Sequence, residues 1–149
     1  MQENYIRRLK LIYFIAVFVA FLGGMSIYAF FRNIDNMILF QFIRKPSFLV
    51  SLYIPIKSNS IWSNMFKFNL PYGLWCLSGL LLVRAVWLNN TKWQVIYKGI
   101  FIAIVMSYVI LKLPGVIHGT FDVLDLIFIG FFAFLESLFF ILFIRRKIV

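Results

Sequence analysis

Residues Leu113 to Glu136 read L-P-G-V-I-H-G-T-F-D-V-L-D-L-I-F-I-G-F-F-A-F-L-E. A Pro-Gly break opens the stretch, and His118, the single histidine of the chain, follows it. Gly119-Thr120 then offers a helix start with Thr120 as N-cap. Beyond it lie Asp122, Asp125 and a nearly unbroken apolar run that carries Glu136. Asp and Glu number five in the whole chain, and three of the five are here. An ionisable group on an apolar helix is costly, so it must face protein or water and becomes a functional candidate. At about 100° per residue, Asp122 and Asp125 share a face, and Glu136 falls about 20° from Asp125 after three turns. The stretch therefore reads as a helix with one polar stripe. For Asp122 alone a plain structural reading serves equally well, because a carboxylate in the first turn favours the helix dipole. That reading does not extend so readily to Asp125 or Glu136.

Composition says what surrounds the stripe. The chain has 149 residues, 63% hydrophobic and 13% charged, with a mean hydropathy of +0.94. Soluble domains are roughly a quarter charged. A chain this apolar and this short is expected to be an integral membrane protein, all-α, with one domain over residues 1–149. The nineteen Phe residues suit lipid-facing walls and interfacial belts. The formal charge of +10 does not point to nucleic acid, because the basic residues fall mainly at the ends of apolar runs. There they meet headgroups and set topology. Cys76 stands alone, which excludes an intramolecular disulfide and a Cys-based metal site.

Four segments are long enough to span: about 11–31, 70–88, 95–113 and 121–144. The first follows M-Q-E-N-Y-I-R-R-L-K and is longer than a signal-peptide core of roughly 7–15 residues, so it reads as an uncleaved signal anchor. Gly23, Gly24 and Ser26 would let another helix approach it closely. Pro71 is placed at an N1-like position of the second span. Short connections near Asn89-Asn90-Thr91 and between Pro114 and Thr120 make spans two, three and four antiparallel neighbours. The long connection between spans one and two holds two apolar pieces, Met37–Ile43 and Phe48–Ile56, neither able to cross. They are expected to lie at the interface or re-enter, with a strand pair at Val50–Ile56 as the lesser alternative. The dense basic flanks, Arg7, Arg8, Lys10 and Arg145, Arg146, Lys147, predict cytoplasmic termini. The Asn89-Asn90-Thr91 sequon would then face the cytoplasm and stay unmodified.

Depth relates the charges to one another. Arg84 lies thirteen residues past Pro71 and Glu136 fifteen past Phe121. At about 1.5 Å per residue both sit roughly 20 Å from the outer face, which predicts an intramembrane ion pair. The competing reading has Arg84 snorkelling to the inner headgroups. At the outer end, Asp122 and Asp125 fall level with Tyr72, Trp75 and Ser78, with His118 just above. Asp122, Asp125, His118, Thr120, Trp75 and Ser78 are therefore the candidate ligand-binding residues. Trp75 and Trp87 also serve as ordinary interfacial anchors. One His with two Asp residues, the His outside the helix, is a poor metal set, and neither a metal nor another cofactor is expected. No Ser-His-Asp spacing, phosphate loop or Cys-His pair appears, so catalysis finds little support beyond general acid–base work by the carboxylates.

The stretch G-T-F-D-V-L-D-L-I-F-I-G-F-F-A-F, after a span that ends at a proline, resembles the last helix of VanZ-like membrane proteins. The matching residues are Phe121, Asp122 and Asp125. Pro71, Gly73, Leu74, Trp75 and Ser78, in N-L-P-Y-G-L-W-C-L-S, are similar to an earlier span of divergent members. The resemblance covers about the last 80 residues. The glutamate usual in the preceding helix is missing around Met106–Tyr108, and Ile129 stands where an asparagine is usual. The resemblance implies a small multi-helix bundle of the bacterial envelope, linked to glycopeptide (teicoplanin) resistance.

Two functions are carried forward. The first is a bacterial inner-membrane envelope protein that binds a lipid-linked or amphipathic ligand in an outer-leaflet pocket between spans two and four. Its partners would be membrane lipids and a lipid-linked envelope precursor or glycopeptide. The second is a structural or assembly subunit of a membrane complex, or a small homo-oligomeric channel, whose polar stripe lines a helix interface.

Overall fold

The computed structural model describes residues 2–31, 60–111 and 122–144. The described residues are almost wholly helical and contain no strand. They form α1 (Gln2–Phe31), α2 (Ile61–Val86), α3 (Thr91–Ile110) and α4 (Val123–Phe139), the last continued by a π-helical turn over Phe140–Ile144. All four helices are long and apolar enough to cross a membrane. The interfacial pieces Met37–Ile43 and Phe48–Ile56 and the strand alternative at Val50–Ile56 lie outside the described residues, as do His118 and Thr120.

Helix α2 is the hub. Its neighbours are seated where a side chain is missing. Trp75 of α2 lies against Gly24 of α1, where an added Cβ would stand 2.6 Å from the indole Nε1. Gly73 receives the Phe132 ring of α4, and Gly79 receives the Phe101 ring of α3. Small residues allow this approach, which matters in lipid because packing rather than the hydrophobic effect holds helices together. Contacts fix the directions. Leu9 and Tyr13, early in α1, cluster with Ala85 and Leu88, late in α2 or just past it, so these two helices are antiparallel. A second cluster joins Cys76 and Leu80 of α2, Val109 of α3 and Ile129 of α4.

Two helix bounds differ from the sequence reading. Helix α2 begins at Ile61, not near Leu70, with Ser60 capping it by accepting from Ser63 N at 3.3 Å. Pro71 is thus inside a long helix. It cannot donate to the carbonyl of Lys67 and its ring crowds that group. The helix widens into a π-turn over Met65–Asn69, directly before the proline, which relieves this conflict. Helix α4 begins at Val123, with Asp122 itself as N-cap: its side chain accepts from Leu124 N at 2.9 Å. Asp122 is therefore the cap and Asp125 the first-turn acid, where Thr120 and Asp122 were expected in those roles. Helix α3 is capped by Asn90, which accepts from Trp93 N at 3.3 Å.

Candidate functional site

Helices α2 and α4 run parallel and share two polar clusters, one toward each end. The first stands where α4 starts. Asn69, the last residue of the π-turn, is 1% exposed. Its Nδ2 donates to Asp122 Oδ2 at 2.9 Å and to Asp125 Oδ1 at 2.9 Å. One amide nitrogen thus bridges two carboxylates, whose accepting oxygens stand within about 6 Å of each other on that geometry. Amide N–H groups donating to charged oxygens are the stronger class of hydrogen bond. Lys67, on the same π-turn, is also buried. The widened turn and the proline place Lys67 and Asn69 where a regular helix would not.

Two of the expected site residues are elsewhere. Trp75 turns to α1, not to the carboxylates. Its ring lies 5.4 Å from that of Tyr28 and 5.9 Å from that of Tyr72, and its Nε1 is buried without a hydrogen-bond partner among the described residues. Ser78 is buried on α2 but makes no hydrogen bond to either carboxylate. It lies nine residues past Asn69, which is roughly 13 Å along the helix. Trp75 is turned by its fit against Gly24 and Ser78 lies too far along α2, while Asn69 was left outside because Pro71 was taken as the start of the span. The residue that does meet the carboxylates, Asn69, had a legible signal. An asparagine two residues before a proline, inside a helix, is positioned by whatever relieves that proline.

The second cluster lies toward the other end. Arg84 Nε donates to Glu136 Oε1 at 2.7 Å, and its second terminal nitrogen to Oε2 at 3.0 Å, a bidentate pair. The remaining guanidinium nitrogen donates to Gln94 Oε1 at 2.7 Å, and Gln94 Nε2 donates to the Trp87 carbonyl at 2.7 Å. Lys98 Nζ also donates to Glu136 Oε2. The guanidinium stands over the Phe140 ring, 3.6 Å from its centre. Arg84 and Glu136 are 4% and 5% exposed, so the arginine is buried and does not reach for headgroups. Gln94 and Lys98, both on α3, were not singled out from sequence. Nearby, Trp87 stacks on Tyr97 with ring centres 5.3 Å apart and planes 7° from parallel, and Trp93 closes the group.

The two clusters differ in what they offer. Around Glu136 a single acid is bonded by two cations, and Gln94 closes the remaining guanidinium site, so the cluster locks α2, α3 and α4 together. At Asn69 one neutral amide nitrogen bridges two acids, with the buried Lys67 on the same π-turn. This is the cluster that gathers two carboxylates at one end of the bundle. No group of three or more His, Cys, Asp or Glu residues arranged to hold a metal occurs among the described residues. Comparison of the chain with protein-family models, curated proteins and solved structures finds no match.

Proposed function

We propose that the chain is a multi-pass protein of the bacterial inner membrane that binds the polar head of a lipid-linked or amphipathic ligand at its Asn69–Asp122–Asp125 end. The observation that carries this reading is the pair of carboxylates held by one amide nitrogen. Such a site favours a head bearing amine or hydroxyl donors, while the apolar helices around it favour an acyl or polyprenyl tail. The resemblance of the Phe121–Asp125 stretch to VanZ-like proteins belongs to the same reading, and with it an envelope precursor or glycopeptide as the ligand. The alternative, a channel or assembly subunit with Asp125 and Glu136 on an axis between copies, is less favoured. Both acids are nearly fully buried within one chain.

The test uses the full chain in nanodiscs of native lipid, with the co-purifying lipids identified by mass spectrometry. Asp122→Asn is the informative variant, because asparagine keeps one oxygen to cap α4 while the charge and the oxygen that accepts from Asn69 Nδ2 are lost. An amphiphile enriched on the native protein should fall about tenfold on this variant, which keeps α4 capped and should still unfold in one cooperative transition, at a somewhat lower temperature. An identical lipid profile for both proteins, equal to that of the surrounding membrane, would overturn the reading. A symmetric oligomer in native mass spectra, without enriched lipid, would support the alternative.

In the same reading both termini face the cytoplasm and the Asp122 end faces outward. Support comes from the basic flanks and from the up-down-up-down order of the helices. Reporter fusions at the C-terminus should be active only as cytoplasmic reporters. Periplasmic activity there would reverse the orientation.

A further inference from the structure

Aromatic side chains mark two levels on the bundle. At one end Trp87, Trp93 and Tyr97 form a group, the last two 42% and 40% exposed. At the other end α2 opens with Ile61, 73% exposed, and Trp62, 79% exposed. These are the two most exposed large apolar side chains among the described residues. Neighbours in a helix stand about 100° apart, so the two face different directions. A flat partner covers one direction, whereas a surrounding medium covers both. Ser60 and Asn64, beside them, are exposed and polar. Apolar, polar and indole groups mixed in one turn suit a membrane–water interface, where Trp is enriched.

Length supports the same assignment. Trp87 is twenty-five residues past Trp62. The rise between them is roughly 37 Å upright, or about 35 Å at an average tilt of about 20°. The hydrocarbon core is about 30 Å thick, and the bilayer with its interfacial layers about 40–45 Å. A separation between those values puts one Trp in each interfacial layer. A hydrocarbon edge at Leu70 would instead leave Trp62 roughly 12 Å outside, past an interfacial layer of about 5–7 Å. Helix α1 gives a second ruler. Gly24 is level with Pro71, whose carbonyl would stand 3.3 Å from a Cβ added there. Seven uncharged residues, Met25–Phe31, follow and add roughly 10 Å. The Phe31 ring meets that of Phe66, with centres 5.4 Å apart. The apolar surface of α1 therefore continues past the level of Asn69.

We infer that the segment from Trp62 to Trp87 crosses the whole bilayer, with Ile61 and Trp62 docked in the interfacial layer of one leaflet. This inference rests on the multi-pass reading above. It moves the membrane boundary about two turns beyond Leu70, where the sequence placed the start of the span. Asn69 then lies roughly 10 Å below Trp62, at the hydrocarbon edge or just under it. In the binding role proposed above, a head that meets the half-buried Asp122 comes from within the leaflet and not from bulk water.

The experiment places the full chain in nanodiscs of phosphatidylglycerol and phosphatidylcholine. Cys76, which is buried, is replaced by alanine, and single cysteines carry a nitroxide. Ile61→Cys, Phe68→Cys and Ile127→Cys are chosen because all three side chains are exposed. Collisions with dissolved oxygen, which concentrates in hydrocarbon, and with a water-soluble nickel chelate give the depth of each label. The label at 127 should report the middle of the hydrocarbon and the label at 68 its edge. The label at 61 should fall in the interfacial layer, within about 5–7 Å of the hydrocarbon. Full nickel access at 61, as on a helix in water, with 127 still rich in oxygen, would overturn the inference and leave the multi-pass reading standing. Nickel access at 127 as well would overturn both. Dipolar broadening between labels at 61 would overturn the inference in favour of a second copy covering Trp62.

Discussion

Glu136→Gln is expected to be the most destabilising single substitution in the described helices, lowering stability in detergent by about 3–5 kcal/mol. Glu136 is the one acid for two buried cations, bonded by both Arg84 and Lys98. Its neutralisation leaves both uncompensated, and insertion scales put each at roughly 2.5–3.5 kcal/mol at the centre of a membrane helix. Arg84→Met should cost less, about 2–3 kcal/mol, because Lys98 still neutralises Glu136; the losses are the two bonds to Glu136, the bond to Gln94 and the stacking on Phe140. The double variant Arg84→Met, Glu136→Gln should recover part of the loss but not all, since Lys98 then faces a neutral amide. Adding Lys98→Met should complete the recovery, as replacing a whole buried ionic group by apolar residues is often near neutral. Unfolding followed by temperature in one detergent checks the series. Strictly additive losses for Arg84 and Glu136 would mean that the pair is not coupled, and that Phe140 and Gln94 alone hold the arginine.

Much of this cluster could be read from the sequence because depth along a helix is nearly linear in residue number. Thirteen residues from Pro71 and fifteen from Phe121 brought Arg84 and Glu136 to one level, and the structure joins them. Counting works there because α2 below Pro71 and α4 are regular over those stretches. The same counting failed above Pro71, where the helix does not stop but widens. The π-turn over Met65–Asn69 changes both rise and facing, so neither the depth nor the azimuth of Asn69 follows from a period of 3.6 residues. The direction of Trp75 was equally hidden. It is set by the absence of a side chain at Gly24, a pairwise fit between helices that no single-helix pattern reports. The partners from α3 were hidden for a related reason. Lys98 and Gln94 lie within two turns of the helix start, where polar residues are ordinary, and only their burial gives them a role.

Asn69→Leu is the second substitution with a large expected effect, about 2–4 kcal/mol of stability. Leucine fills a similar volume, so the loss measures the polar interactions and not a cavity. Asn69 Nδ2 makes two hydrogen bonds to carboxylate oxygens, each of a kind worth about 1.5–3 kcal/mol. The two bonds share one nitrogen and one desolvation, so their sum overstates the effect. Removing the bridge also leaves the oxygens of Asp122 and Asp125 within about 6 Å with one fewer donor between them. Asn69→Asp should be worse than Asn69→Leu, because it replaces the donor with a third carboxylate and adds like-charge repulsion to the lost bonds. Asp125→Asn in the Asn69→Leu background should restore part of the stability, by removing one of the two repelling charges. That partial rescue separates a charge effect from loss of packing. A packing role for residue 69 predicts no rescue, because Asp125→Asn changes almost no volume. Equilibrium unfolding of the three single variants and the double variant decides the matter. If Asn69→Leu unfolds with the native protein, the carboxylates do not depend on the amide, and the π-turn serves only to accommodate Pro71.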